Sequence, residues 1–140
     1  MISITSVTRK YILQPQLVRR HKKTLSWLSA ITLWKSELAY FQKVLDQHAA
    51  RFTAIEDKKV IDHFQNLFLY YNGEVIDTLR SKLRHHEERI ASILKSHNEA
   101  QAQVFSEHDA LMDELETFGE RYHELKTSFV LFIAKKKRPI

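Results

Sequence analysis

Trp27, Ile31, Trp34, Leu38, Phe41 and Leu45 recur in steps of four and three. That is the rhythm of a helix burying one continuous seam against other helices, as in a coiled coil. The rhythm returns twice. One stripe is Ile61, Phe64, Phe68, Tyr71 and Val75, which resumes after a one-residue slip as Ile76, Leu79, Leu83, His86, Ile90, Leu94 and His97. The other is Phe105, His108, Met112, Leu115, Phe118, Tyr122, Leu125, Phe129 and Phe132. Three such stripes constrain the chain to an all-α fold, an antiparallel bundle of three long helices with an extended N-terminal arm.

Composition agrees. Two glycines and two prolines in 140 residues are too few punctuators for a many-stranded fold, and the length suits one domain. With no cysteine, disulfides and thiolate metal sites are excluded. No apolar run approaches the ~20 residues of a membrane span. The stretch before Gln16 has no apolar core of signal-peptide length and contains Arg9 and Lys10, so a cytoplasmic location is expected.

The boundaries follow from the patterns. Residues 1–14 lack helical periodicity and are rich in β-branched side chains, which predicts an extended or disordered arm. Pro15 suits a first helical turn, where its missing N–H is not needed. The bundle then covers residues 15–134, with helices over 15–48, 56–96 and 98–134, and residues 135–140 form a basic tail. Glu56 and Asp57 favour a helix start, and Asn98 is a suitable N-cap. Asn72-Gly73 marks the slip in the second stripe. A continuous helix is expected there, because two halves joined by no linker cannot fold back on each other. Reflecting the chain about turns near residues 51–52 and 99 places Trp27 level with Ile76 and Tyr122. It places Trp34 level with Leu69 and Phe129, and Phe41 near Ile61 and Phe64.

Charge is segregated. No acid precedes Glu37, whereas Arg9, Lys10, Arg19, Arg20, Lys22, Lys23 and Lys35 do. Glu99 to Glu124 holds eight acids and one base, Arg121. Charges that answer one another inside the fold are the simplest reading. The tail Lys135, Lys136, Lys137 and Arg138 raises nucleic-acid binding as a reading, but the acidic third helix would repel phosphate from one face.

Eight histidines in a helical chain invite a di-iron site, yet Glu120 and His123 are the only Glu-x-x-His pair. The best residual cluster is His21, His85, His86, Asp113 and Glu116, which the level rule brings to one height. An ion-pair network explains it better than a metal. No Gly-rich phosphate loop, nucleophile motif or paired carboxylate stands out, so no metal, cofactor or catalytic residue is assigned and no enzyme is expected.

The excess of apolar surface is the stronger signal. Residues 66–71 and 128–134 are apolar almost all round their helices, and a three-helix bundle buries one stripe per helix. Phe68, Tyr70, Tyr71, Phe129, Val130, Phe132 and Ile133 therefore form the candidate interface at one aromatic end. The leading reading is a non-enzymatic interaction or scaffolding protein that forms a homodimer, or takes a protein partner, through that end. A peripheral membrane-surface or nucleic-acid binder using the apolar last turn and the Lys/Arg tail is one alternative. A metal-binding bundle is the other. Three long helices with a tryptophan in the first resemble spectrin-type repeats in architecture only.

Overall fold

A computed structural model describes the backbone of residues 4–96 and 102–137 and the side chains of residues 15–93 and 103–135. Among the described residues the chain is helical apart from residues 52–54, with no strand. It forms three long rods. The first is α1, Ile4–His48, and it ends in a 3₁₀ turn, Ala49–Arg51. The second is α2, Ile55–Tyr70, joined through a π turn, Tyr71–Val75, to α3, Ile76–Ser96. The third is α4, Ala102–Lys137. The expected N-cap Asn98 lies outside the described residues.

The heptad pattern explains α1 directly. Leu17, Thr24, Ile31, Leu38 and Leu45, seven apart, are all buried. Trp27 and Trp34, expected deep in the seam, are half-buried beside it. Alternation of three- and four-residue steps keeps one face inward over the whole rod.

The N-terminal arm is a correction. The chain from Ile4 onward is helical, with Pro15 inside α1 rather than at its start. Proline's ring-locked φ is already helical, and a helix can run through it with the loss of one backbone hydrogen bond. Extending an existing helix is also far easier than nucleating one.

The second rod is continuous, and the one-residue slip has a structural form. A π turn takes up one extra residue, and the buried stripe moves from Phe64 and Phe68 to Ile76, Leu79 and Leu83. Lys35 of α1 caps this irregularity: its Nζ donates to the Asn72 carbonyl at 3.5 Å and to the Asp77 carboxylate at 2.7 Å.

Cross-helix pairs set the register. His21 meets Glu87, Lys35 meets Asp77, and Phe41 meets Phe68, so positions along α1 and along α2–α3 run in opposite senses. Lys82 meets Glu114 and Phe68 meets Phe129, so α4 reverses again. The register of α1 differs from the expectation. Trp34 packs on Phe118 and Tyr122, with centroids at 5.7 and 5.3 Å, and Phe129 meets Phe41 instead, a heptad further along. The cause is the first connection. The chain reverses after the 3₁₀ turn, at Thr53 and Ala54, later than residues 51–52. Phe52 plugs that end, buried and stacked on Phe132 at 4.5 Å.

Candidate interaction surfaces

The aromatic end is built from rings on all three rods. Phe129 lies 4.9 Å from Phe68, 5.4 Å from Phe41 and 5.4 Å from Phe64, centroid to centroid. These are mostly tilted or edge-on arrangements, the favoured ones for aromatic pairs. Phe68 and Phe129 are 1% and 2% exposed and Ile133 is buried, so the structure moves these three from the candidate interface into the core. Tyr71 and Phe132 are half-buried at its edge. Tyr70 and Val130 remain open, at 51% and 53% exposure.

Those two residues belong to different grooves. Val130 lines a groove of about 390 Å³ between α1 and α4, with Tyr40, Val44, Gln47, His48 and Ala134 around Phe41, Phe129 and Ile133. Tyr70 lines a groove of about 460 Å³ between α2–α3 and α4, with Tyr71, Val75, Leu79, Ala110, Thr117 and Phe118. The sequence groups both residues at one end, but only the rotation of α4 about its axis separates them. Tyr40, 63% exposed on α1, joins the first surface, at the end where level matching places it beside Phe41. It sits beside Phe41, off the seam, where periodicity predicts nothing beyond a solvent-facing position.

Of the basic tail, Lys135 is described; its ammonium lies 3.9 Å from the Asp57 carboxylate. The side chains of Lys136 and Lys137, and all of Arg138, lie outside the described residues.

The opposite end is polar at its centre. His86 Nε2 and His108 Nδ1 share a hydrogen bond at 2.8 Å, with the residues 4% and 5% exposed. Thr24 is buried and donates to the Arg20 carbonyl at 2.7 Å. Burial holds both imidazoles neutral. His108 is pushed down to about 4 from the 6.5 of a free histidine, chiefly by desolvation, then by His86 and Arg20, with Asp109 opposing and Lys23 adding the least. His86 is lowered by desolvation, partly offset by Glu107, with Arg89, His85 and Arg20 adding to the fall. Arg89 and Glu107 form an ion pair that lowers the Glu107 carboxyl below its usual range. Arg20 lies over the Phe105 ring at 4.0 Å.

The residual histidine cluster does not assemble. His21 turns to Glu87 at 3.4 Å and His86 is committed to His108, while His85, Asp113 and Glu116 are exposed. Among the described residues no group of three or more histidine, aspartate or glutamate side chains converges on one point. The buried Tyr122 hydroxyl donates to Glu37 at 2.9 Å, and Lys126 donates to the other oxygen of Glu37 at 2.7 Å. Burial, then that bond, holds the phenol well above its ordinary range. No described helix is long and apolar enough to cross a membrane.

Comparison with protein families, curated proteins and solved structures returns no match.

Proposed function

We propose that this chain is an antiparallel three-helix bundle acting as a non-enzymatic interaction or scaffolding protein, and that it forms a homodimer through the α1–α4 groove at its aromatic end. The carrying observation is the exposure of Tyr40 and Val130 at 63% and 53% on the rim of a groove floored by Phe41, Phe129 and Ile133. A large apolar side chain left in water forgoes about 1.5–3 kcal/mol relative to burial. A protruding ring and an apolar hollow on the same face are what a two-fold interface requires, because each copy then inserts its ring into the other.

Sedimentation of the full chain over a hundredfold range of concentration tests this. The mass should rise from one chain to two, and Tyr40→Glu with Val130→Glu should give a helical monomer at every concentration. Tyr70→Glu should leave the dimer intact, since Tyr70 lines the other groove. A wild-type mass that stays at one chain removes the dimer. Flotation of that monomer with anionic liposomes, lost in Leu131→Glu, would favour the membrane-surface alternative through Val130, Leu131 and the following lysines.

A further inference from the structure

The groove on the other flank of α4 has its own chemistry. Its α4 wall is the row Ala110, Asp113, Glu114, Thr117 and Arg121, the i, i+3, i+4, i+7, i+11 positions of one helical face. That row is about 16 Å long at 1.5 Å per residue, or three helical turns. The facing wall is Tyr70, Glu74, Val75, Thr78 and Leu79, and the open space of about 460 Å³ continues into a neighbouring hollow of about 230 Å³ that shares Tyr70, Val75, Leu79 and Glu114. Ala110 and Thr117 are small, and Phe118 with Tyr71 makes an apolar floor where their centroids lie 5.0 Å apart. No described α1 residue enters this lining.

A trough of this length between two antiparallel rods has the shape that a fourth helix fills. Its charge selects the helix. Glu74 stands on one rim and Asp113 and Glu114 on the other, and among the lining residues Arg121 is the one base. Glu114 already takes Lys82, which reaches across from α3, at 2.7 Å, which shows that this rim accepts an ammonium. We propose that the α2–α3/α4 groove is a docking site for an amphipathic helix of another protein, with an apolar face directed at Val75, Leu79 and Phe118 and basic residues along both flanks. Helix-in-groove recognition supplies the affinity through the apolar face, while the rim charges supply selectivity and speed. A second copy is a poorer occupant. Its basic residues on α1 lie away from this groove, so self-docking there would be head-to-tail and would not repeat its contacts as a two-fold interface does.

The test uses the full chain, isotopically labelled, and two synthetic helical peptides of about four turns. Both carry leucines on one face; one has lysines and the other glutamates on the flanks. The lysine peptide should bind and shift the amide signals of Val75, Ala110 and Thr117, with an affinity that falls as salt is raised. Thr117→Trp fills the trough from an exposed position and should cut that affinity by roughly tenfold or more. Glu74→Lys with Asp113→Lys should reverse the preference between the peptides, and it carries the test alone if the tryptophan variant does not fold. Equal binding of both peptides, or undiminished binding to Thr117→Trp, overturns the proposal. So does a shift of these amides on concentrating the protein without peptide, which would show a second copy in the groove. Tyr40→Glu with Val130→Glu should still bind the lysine peptide, which separates failure here from failure of the dimer.

Discussion

The two ends of this molecule are held together by different physics. At one end Phe41, Phe64, Phe68 and Phe129 interlock with Phe132 and Phe52, and burial of apolar surface carries the packing. At the other, three helices meet over a histidine pair, a buried threonine, an Arg–Glu ion pair and an arginine lying on a ring. The first kind of contact is indifferent to pH, and its strength grows with area. The second is directional, and it depends on both imidazoles staying uncharged. One chain thus has a dry end suited to permanence and a polar end whose cohesion is conditional. Leu17, Ile90 and Val104 are buried beyond the histidines, so the polar layer lies within the apolar interior rather than capping it.

The largest effect should come from the dry end. Phe129→Ala removes the ring shared by all three rods and should cost about 3–5 kcal/mol, with no change across pH 5–8. Chemical denaturation at those pH values measures it. A cost below about 1 kcal/mol would show that the aromatic layer collapses around the gap and that the two ends are not so different.

The polar end should respond to acid. The folded-state imidazoles protonate below the 6.5 of a free histidine, His108 at about 4, so between those values the unfolded chain binds more protons than the folded one. Stability therefore falls as pH falls through this window and is fully present above it. The groups facing the pair are Arg20 and Lys23 from α1, His85 and Arg89 from α3, and Glu107 and Asp109 from α4. Cations predominate, and Glu107 is held by Arg89, so a new charge on the pair finds little compensation. The melting temperature of the wild type should drop from pH 7 to pH 4.5 more steeply than that of His86→Leu with His108→Leu. Equal slopes would mean that carboxylates elsewhere dominate the acid response.

The smallest effects come from the two glycines, Gly73 in the π turn of the second rod and Gly119 within α4. A Cβ on Gly119 would lie 3.2 Å from Trp34 Cη2, so in Gly119→Ala the indole, packed on Phe118 and Tyr122, must give by a few tenths of an ångström, and the variant should gain less than the ~1 kcal/mol that alanine brings to a helix interior. A Cβ on Gly73 meets nothing, so Gly73→Ala should stabilise by about 0.5–1 kcal/mol, as alanine does in a helix interior. Thermal melts of both variants decide the matter. A destabilised Gly73→Ala would mean that the π turn, and not ordinary helix, sets the preference at that residue.

Much of the fold was legible residue by residue. The seam of Ile31, Leu38, Phe41 and Leu45 is buried as its spacing requires, and so are Leu115, Phe118, Tyr122, Leu125 and Phe129 on the third rod. The slip at Asn72-Gly73 was visible as a change of phase, and its meaning is a π turn. Phe52 could not be found by periodicity, because it lies in a connection where no repeat exists. Of the candidate surface, the apolar surplus was legible but its division was not. Tyr70 and Val130 stand at the same end in sequence terms and on opposite flanks of α4 in space.

The sequence by itself determined that this chain is helical, how many long helices it has and which face of each turns inward, because side-chain periodicity is a local property of a helix. Only the tertiary structure decided how far the rods slide along one another. A heptad seam packs almost as well when shifted by seven residues, and the choice falls to the length of the first connection and to Phe52. Tertiary packing also joined His86 to His108 across 22 positions of chain. Two histidines on separate helices become a shared hydrogen bond only when register and rotation agree, and neither is written in the spacing of one helix.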